Sequence, residues 1–217
     1  MIDNVAYQMA LRQRLATLSV ATTGAISLSA TATGYARTTG SFLTDGFGRG
    51  MEIVPAGFAT NVARIITGVS ALTITVSGAV AVEAAAGGRS LTAGLPSMQA
   101  WENRAFQPTA GVPWVREEYL PGPTAQVTLG PLGELEALPQ YAVYVSVAAE
   151  TGLTVSRYAD ALMRLFAPRT AISLANGDVL RVRSDTGPYA GQLQQSQPGF
   201  AVKPVTFPLR IRTANSI

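Results

Sequence analysis

The sequence contains no cysteine and no histidine in 217 residues. That double absence excludes disulfides, thiolate nucleophiles, Cys/His zinc sites, Ser-His-Asp triads and imidazole acid–base chemistry. Charge is scarce as well: Asp, Glu, Lys and Arg make up 13% of the chain, roughly half the usual share of about 25%. With 47% hydrophobic residues, so thinly charged a surface favours assembly over a highly solvated monomer. Lysine is almost missing, since Lys203 is the only one among sixteen basic residues. The rest are arginines, whose planar guanidinium suits bidentate and interface pairing. The net charge of +3 is a small excess with no basic tract behind it, so capture of nucleic acid is not indicated. Long apolar runs are missing too. Residues 68–88 alternate with Ser and Thr and contain Glu83, short of the roughly 18 uninterrupted apolar residues of a membrane helix. Residues 15–32 have a faint signal-peptide texture, but Thr22, Thr23 and Gly24 interrupt it and Asp3 precedes Arg12 and Arg14. The expectation is a soluble product.

What is present divides into two textures, and a length of 217 residues against about 150 per domain suggests two domains. Asp3 or Asn4 caps a first helix in which Leu11, Leu15 and Leu18 recur at helical spacing, with Val5 and Met9 on its surface. From residue 19 to 95 short alternating runs predict strands: Ile26 and Leu28, Met51 and Ile53, then Leu72, Ile74 and Val76 against Thr73 and Thr75. Glycines punctuate them, with Asp45-Gly46 and Gly87-Gly88 as turn candidates. Strands are predicted again over 114–120, 125–129, 140–147, 171–174, 178–184 and 202–213, with Pro121-Gly122-Pro123, Gly130-Pro131-Leu132-Gly133 and Asn176-Gly177 as turns. A helix over 154–166 carries Val155, Tyr158, Leu162 and Leu165 on one face and is ended by Pro168. Pro204 and Pro208 lack an N–H, so the last strand is expected at an edge or with one unpaired flank.

Candidate chemistry is thin. Glu117 and Glu118 are neighbours on a strand and project to opposite faces, so they cannot act as an acid–base pair on one substrate; a salt-bridged surface strand is the simpler reading. Asp178 and Asp185 lie at turns without EF-hand spacing. Gly46-Phe47-Gly48-Arg49-Gly50 precedes a strand pattern, which suits turn geometry better than a phosphate cradle. Arg181 with Arg183, and Arg210 with Arg212, are i, i+2 pairs that each point to one strand face. They make a cationic patch for phosphates or a neighbour's carboxylates, or simply a solvated sheet face. Trp101, Trp114, Phe106 and Tyr119 could stack on sugars or bases, or serve a core or an interface.

One stretch points to a family: Ala100-Trp101-Glu102-Asn103, Phe106, Pro108, Gly111, Pro113-Trp114-Val115-Arg116, Tyr119-Leu120-Pro121-Gly122-Pro123 and Val127-Thr128-Leu129-Gly130-Pro131 with Gly133. Together with the strand around Tyr141 and the helix containing Ala159-Asp160-Ala161-Leu162, it resembles the tail-terminator-like proteins of tailed bacteriophages. The likeness spans residues 101–213. Residues such as Thr39-Gly40-Ser41-Phe42 and Leu72-Thr73-Ile74-Thr75-Val76 are similar to a small β-rich unit of phage structural proteins, with Thr60-Asn61-Val62-Ala63-Arg64 in place of its usual turn.

Strands, one long helix and more strands read as an α+β fold, an antiparallel sheet with a packed long helix; the first helix has no core of its own and is expected to pack with it, so residues 1–18 and 96–217 form one domain and 19–95 an inserted small all-β domain. The resemblance to tail terminators agrees with this division. It implies a virion protein without catalysis or cofactor, assembled in the host cytoplasm. Its copies would form a ring, commonly hexameric, at the tail-head junction. The ring would cap the tail tube protein and meet a head-completion or connector protein, and viral DNA would pass through its lumen without sequence-specific binding. Arg181, Arg183, Lys203, Arg210, Arg212 and Trp114 are the candidate ring or partner interface. A head-completion or tail tube protein is the structural alternative, and a carbohydrate-binding β module the alternative of another class.

Overall fold

The structure, a computed structural model, describes residues 3–60, 62–101, 105–128, 133–174 and 176–214. Asn61, Glu102, Asn103, Leu129, Gly130, Pro131 and Leu132, all part of the sequence reading, lie outside the described residues.

The chain opens with α1 (Asn4–Leu15), whose first amides from Val5 and Ala6 are bonded by the Asp3 carboxylate at 3.1 and 3.0 Å. Seven strands follow: β1 (Ser19–Thr22), β2 (Ile26–Thr31), β3 (Gly34–Ala36), β4 (Glu52–Ala56), β5 (Arg64–Val69), β6 (Thr73–Val76) and β7 (Glu83–Gly94). They run in the order β1-β7-β2-β3-β6-β5-β4, and β4 also pairs with β7, so six of them close into a barrel. Closure depends on the length of β7. Its first half pairs with β2 and its second half lies between β1 and β4. Gly87-Gly88, read from sequence as a turn, instead lies within this strand, where the register with β2 shifts and Gly88 takes φ +77°. A glycine bulge bends a strand without ending it. Arg89 fills the bend: its guanidinium donates to the Leu28 and Ala84 carbonyls at 2.8 and 2.6 Å, pairs with Glu83 at 2.6 Å and lies over the Phe58 ring. Leu28, Tyr35, Ile53, Ile66, Ile74 and Leu91 fill the interior.

The remaining strands are β8 (Met98–Ala100), β9 (Trp114–Leu120), β10 (Thr124–Gln126), β11 (Glu134–Ala137), β12 (Gln140–Ala148), β13 (Ala171–Ser173), β14 (Val179–Val182), β15 (Tyr189–Ala190), β16 (Gln194–Gln197), β17 (Phe200–Val202) and β18 (Val205–Ala214). Between β12 and β13 lies α2 (Thr154–Leu165). The central strand of this second sheet is β18. It pairs with β12 and then β11 on one side, and with β15 and then β14 on the other. The edge position expected from its prolines is therefore not found. Pro208 stands where the neighbours on both flanks change over; its carbonyl accepts from Arg183 N–H at 2.9 Å, and the missing N–H forgoes only the reciprocal bond of that one pair.

The expected α+β class is overturned: strand takes 44% of the structure and helix 12%, with two short helices among the described residues. The helix taken as a long packed layer has 12 residues, no longer than α1. It packs against β12 and β18. Val155, Tyr158, Ala159 and Leu162 are buried, and beyond its end Phe166 stacks on Phe207 with ring centroids 4.6 Å apart. The first helix is bonded to the second sheet and to α2. Tyr7 donates to Asp178 at 2.9 Å, Tyr119 to Asn4 at 3.2 Å, and Arg14 to the Leu165 carbonyl at 2.8 and 3.0 Å.

Candidate functional site

The arginine pairs lie at the centre of the second sheet. Along β14 and β18, Leu180, Val182, Leu209 and Ile211 are buried, and the alternate positions turn outward. That period of two places Arg181, Arg210 and Arg212 on one face, with Arg181 directly opposite Arg210 across the two strands. Arg183 follows two residues after Arg181. Two concavities flank this cross-strand pair. The first, about 400 Å³, is lined by Gly177, Asp178, Val179, Arg181, Arg210 and Arg212 with Thr213. The second, about 320 Å³, is lined by Arg169, Arg181, Arg183, Ser184, Asp185 and Arg210 with Val182.

Charge on this face is unequally matched. Arg183 grips Asp185 through two bonds, 3.0 and 2.5 Å long, and this hydrogen bonding holds the Asp185 carboxyl down at about 2. The Glu136 carboxylate is shared, 2.9 Å from Arg212 and 3.4 Å from Arg210. Arg210 Nε is shut off from solvent and makes no hydrogen bond. Asp178 is occupied by the Tyr7 hydroxyl and the Asn176 amide, each at 2.9 Å. Burial first, and then this bond, raise the Tyr7 hydroxyl pKa. Arg181 and Arg169 have no carboxylate partner among the described residues.

Lys203 and Trp114 do not join this face. Lys203 lies between β17 and β18, outside both concavities. Trp114 is 5% exposed and packs with Phe106 and Phe200 at 5.0 and 6.2 Å. Tyr119 is equally buried, and burial pushes its hydroxyl up to about 12. Neither ring is available to stack on a glycan. Glu117 and Glu118 do face opposite ways, but Glu117 is buried instead of lying on the surface. It accepts from Tyr141 at 2.7 Å and from Arg12, whose guanidinium covers Trp101 at 4.7 Å. Burial and this carboxylate raise the Tyr141 pKa. Glu118 takes Tyr144 and Arg116 on the outer face. Among the described residues no cluster of acidic side chains converges as a metal site would require, and no helix is long and apolar enough to cross a membrane.

Two features had no clear sequence signal. Arg169 enters the second concavity because it turns the chain after Pro168 with φ +69°, its N–H bonded to the Val182 carbonyl. The glycine-rich loop after Asp45 docks on the start of α2: Thr154 donates to the Arg49 carbonyl at 2.7 Å, and Arg157 to the carbonyls of Gly46, at 2.9 Å, and Phe47. A Cβ at Gly48 would lie 2.5 Å from Thr154 Oγ1. Close approach, more than a turn alone, explains that glycine.

The phage tail terminator protein family matches residues 79–211, from just before β7 into β18. The chain belongs to the phage tail terminator family. This places it among the structural proteins of phage tails and agrees with a non-enzymatic role. The match begins earlier than the resemblance seen from Trp101 and so takes in the strand that closes the barrel. A solved structure resembles part of this tail terminator family member at 21% identity, over 57% of this chain and 83% of its own, with a TM-score of 0.43. No curated protein matches.

Proposed function

We propose that this chain closes, as a ring of identical subunits, on the last ring of a tail tube, halts tube growth and offers its other side to the head connector. Membership of the tail terminator family over residues 79–211 is the observation that carries the reading. The ring is commonly hexameric in such proteins, and viral DNA crosses its lumen. The open second sheet supports it. Its terminal strands β10 and β16 have one unpaired flank each among the described residues, and heterologous contacts at such edges close into a ring when the rotation per subunit closes. No reactive group is called upon. Residues 1–18 with 96–217 would form the ring, and the barrel would project from it as an insertion.

Negative-stain images of the protein alone and mixed with its tail tube subunit test the reading. Closed rings, or tubes stopped at one end by this chain, are expected. Indefinite filaments formed by the chain alone would overturn it.

A further inference from the structure

We infer that the face around Arg181 and Arg210 is a docking site for an acidic segment of a protein partner, whose carboxylates enter the two concavities on either side of that pair. Beside Glu134, which acts on Arg212 at longer range, five guanidiniums, from Arg169, Arg181, Arg183, Arg210 and Arg212, meet here with Glu136, Asp178 and Asp185. Each of those carboxylates is already engaged. Asp185 is held by Arg183, Asp178 by Tyr7 and Asn176, and Glu136 is divided between Arg210 and Arg212. Arg181 and Arg169, without a carboxylate partner among the described residues, are donors in want of an acceptor. A guanidinium satisfies that want best with a carboxylate or phosphate oxygen presented in its plane.

The arrangement favours carboxylates on a protein over the phosphates of DNA. Duplex DNA presents a continuous track of charge, about one per 1.7 Å of axis, and rewards an unbroken cationic stripe. Here Glu136, Asp178 and Asp185 interrupt the basic groups and would repel such a track. Alternating signs fix the register of a protein partner with complementary charges. Arg181 and Arg210 stand opposite each other in register, so their Cβ atoms are roughly 5 Å apart. Acidic residues at i and i+4 of a helix have about that spacing, 5–6 Å. The inference holds whether or not the chain caps a tube, because peptide binding and ring formation are read separately.

The test is fluorescence anisotropy of the full chain with three probes: a capped alanine-rich helical peptide carrying Glu at i, i+4 spacing, its Gln counterpart, and a short mixed-sequence DNA duplex. The Glu peptide should bind in a salt-sensitive way and the Gln peptide should not. Arg181→Gln should weaken the Glu peptide by about tenfold, the scale of one charge-assisted contact, with the melting temperature unchanged. Arg181→Lys should restore only part of the loss. Arg64→Gln, a charge change on the barrel, should stay within about twofold. Absence of Glu-peptide binding, equal binding by Arg181→Gln, or a duplex that binds as tightly and displaces the peptide would each overturn the inference.

Discussion

The barrel and the second sheet solve the problem of strand edges in opposite ways. In the barrel, β4 returns to β7, so the ladder has no free end apart from β1, which lies beside β7 and leads in from α1. In the second sheet the path ends at β10 and at β16, and β8, β13 and β15 each have a single partner among the described residues. Closure protects a strand from pairing with another chain, whereas an open edge invites it. The charges divide along the same line. In the barrel Arg89 is held by Glu83 and Arg37 by Asp45, although Arg49 and Arg64 have no carboxylate partner among the described residues, and the arginines of β14 and β18 face outward around the shared Glu136. Unpaired strand edges are thus concentrated in the second sheet among the described residues.

Excision is the largest way to break the comparison. Thr22 and Thr92 are paired across β1 and β7, so residues 23–91 can be replaced by an Asn-Gly turn without moving the flanking chain. If the barrel is a separable insertion, the shortened chain still unfolds cooperatively on heating, at a lower temperature because the Arg157 and Thr154 contacts to the 46–50 loop are lost. A melt without a transition would mean that the two regions are one folding unit.

Next in size, Leu162→Ala on α2 should cost about 2–5 kcal/mol and Ile74→Ala in the barrel about the same, as buried large-to-small changes. Denaturant titration distinguishes the regions. The buried apolar side chains form one continuous cluster through both, so in the full chain both substitutions should move a single midpoint. Two transitions, each shifted by its own mutation only, would separate them.

Legibility in the sequence follows the range of the interactions. Strands such as β6, with strict alternation of Ile74 and Val76 against Thr73 and Thr75, are visible because their pattern is local. So is the cap at Asp3. Closure of the barrel was not visible: it depends on β7 pairing with both β2 and β4, and the Gly87-Gly88 bulge that permits this looks like a turn when read alone. The central place of β18 was hidden in the same way, since Pro208 signals an edge until its flanking strands are seen to change over beside it. At the candidate site the period of two was enough to align Arg181 with Arg183 and Arg210 with Arg212. Bringing in Arg169 and dividing Glu136 between two guanidiniums needed the tertiary fold.

Arg157 tests the join between the regions with a smaller effect. Its guanidinium reaches from α2 to the carbonyls of Gly46 and Phe47. Arg157→Ala should destabilise by about 1.5–3 kcal/mol, the scale of hydrogen bonds from a charged donor, in thermal melts. If the loss in the full chain is no greater than in the excised chain, where the loop is absent, the contact does not join the regions.

The smallest expected effect comes from the rim of the arginine face. Asp185 titrates at about 2 in the folded chain because Arg183 holds its carboxylate, against 3.8 for an ordinary aspartate. The folded state therefore binds fewer protons than the unfolded state in this window. The contribution is fully present above about pH 4 and disappears as pH falls through about 2. Asp185→Asn should thus lower the melting temperature slightly near neutral pH and leave it unchanged at the acid end, and added salt should shrink the difference because the pair is exposed. A difference between wild type and variant that widened on acidification would reverse the sign and remove Arg183 as its cause. The largely buried Arg89–Glu83 pair of the barrel is the internal control: salt should affect a Glu83→Gln variant far less, so unequal salt responses would sharpen the contrast between an exposed ion pair on the second sheet and a shielded one in the barrel.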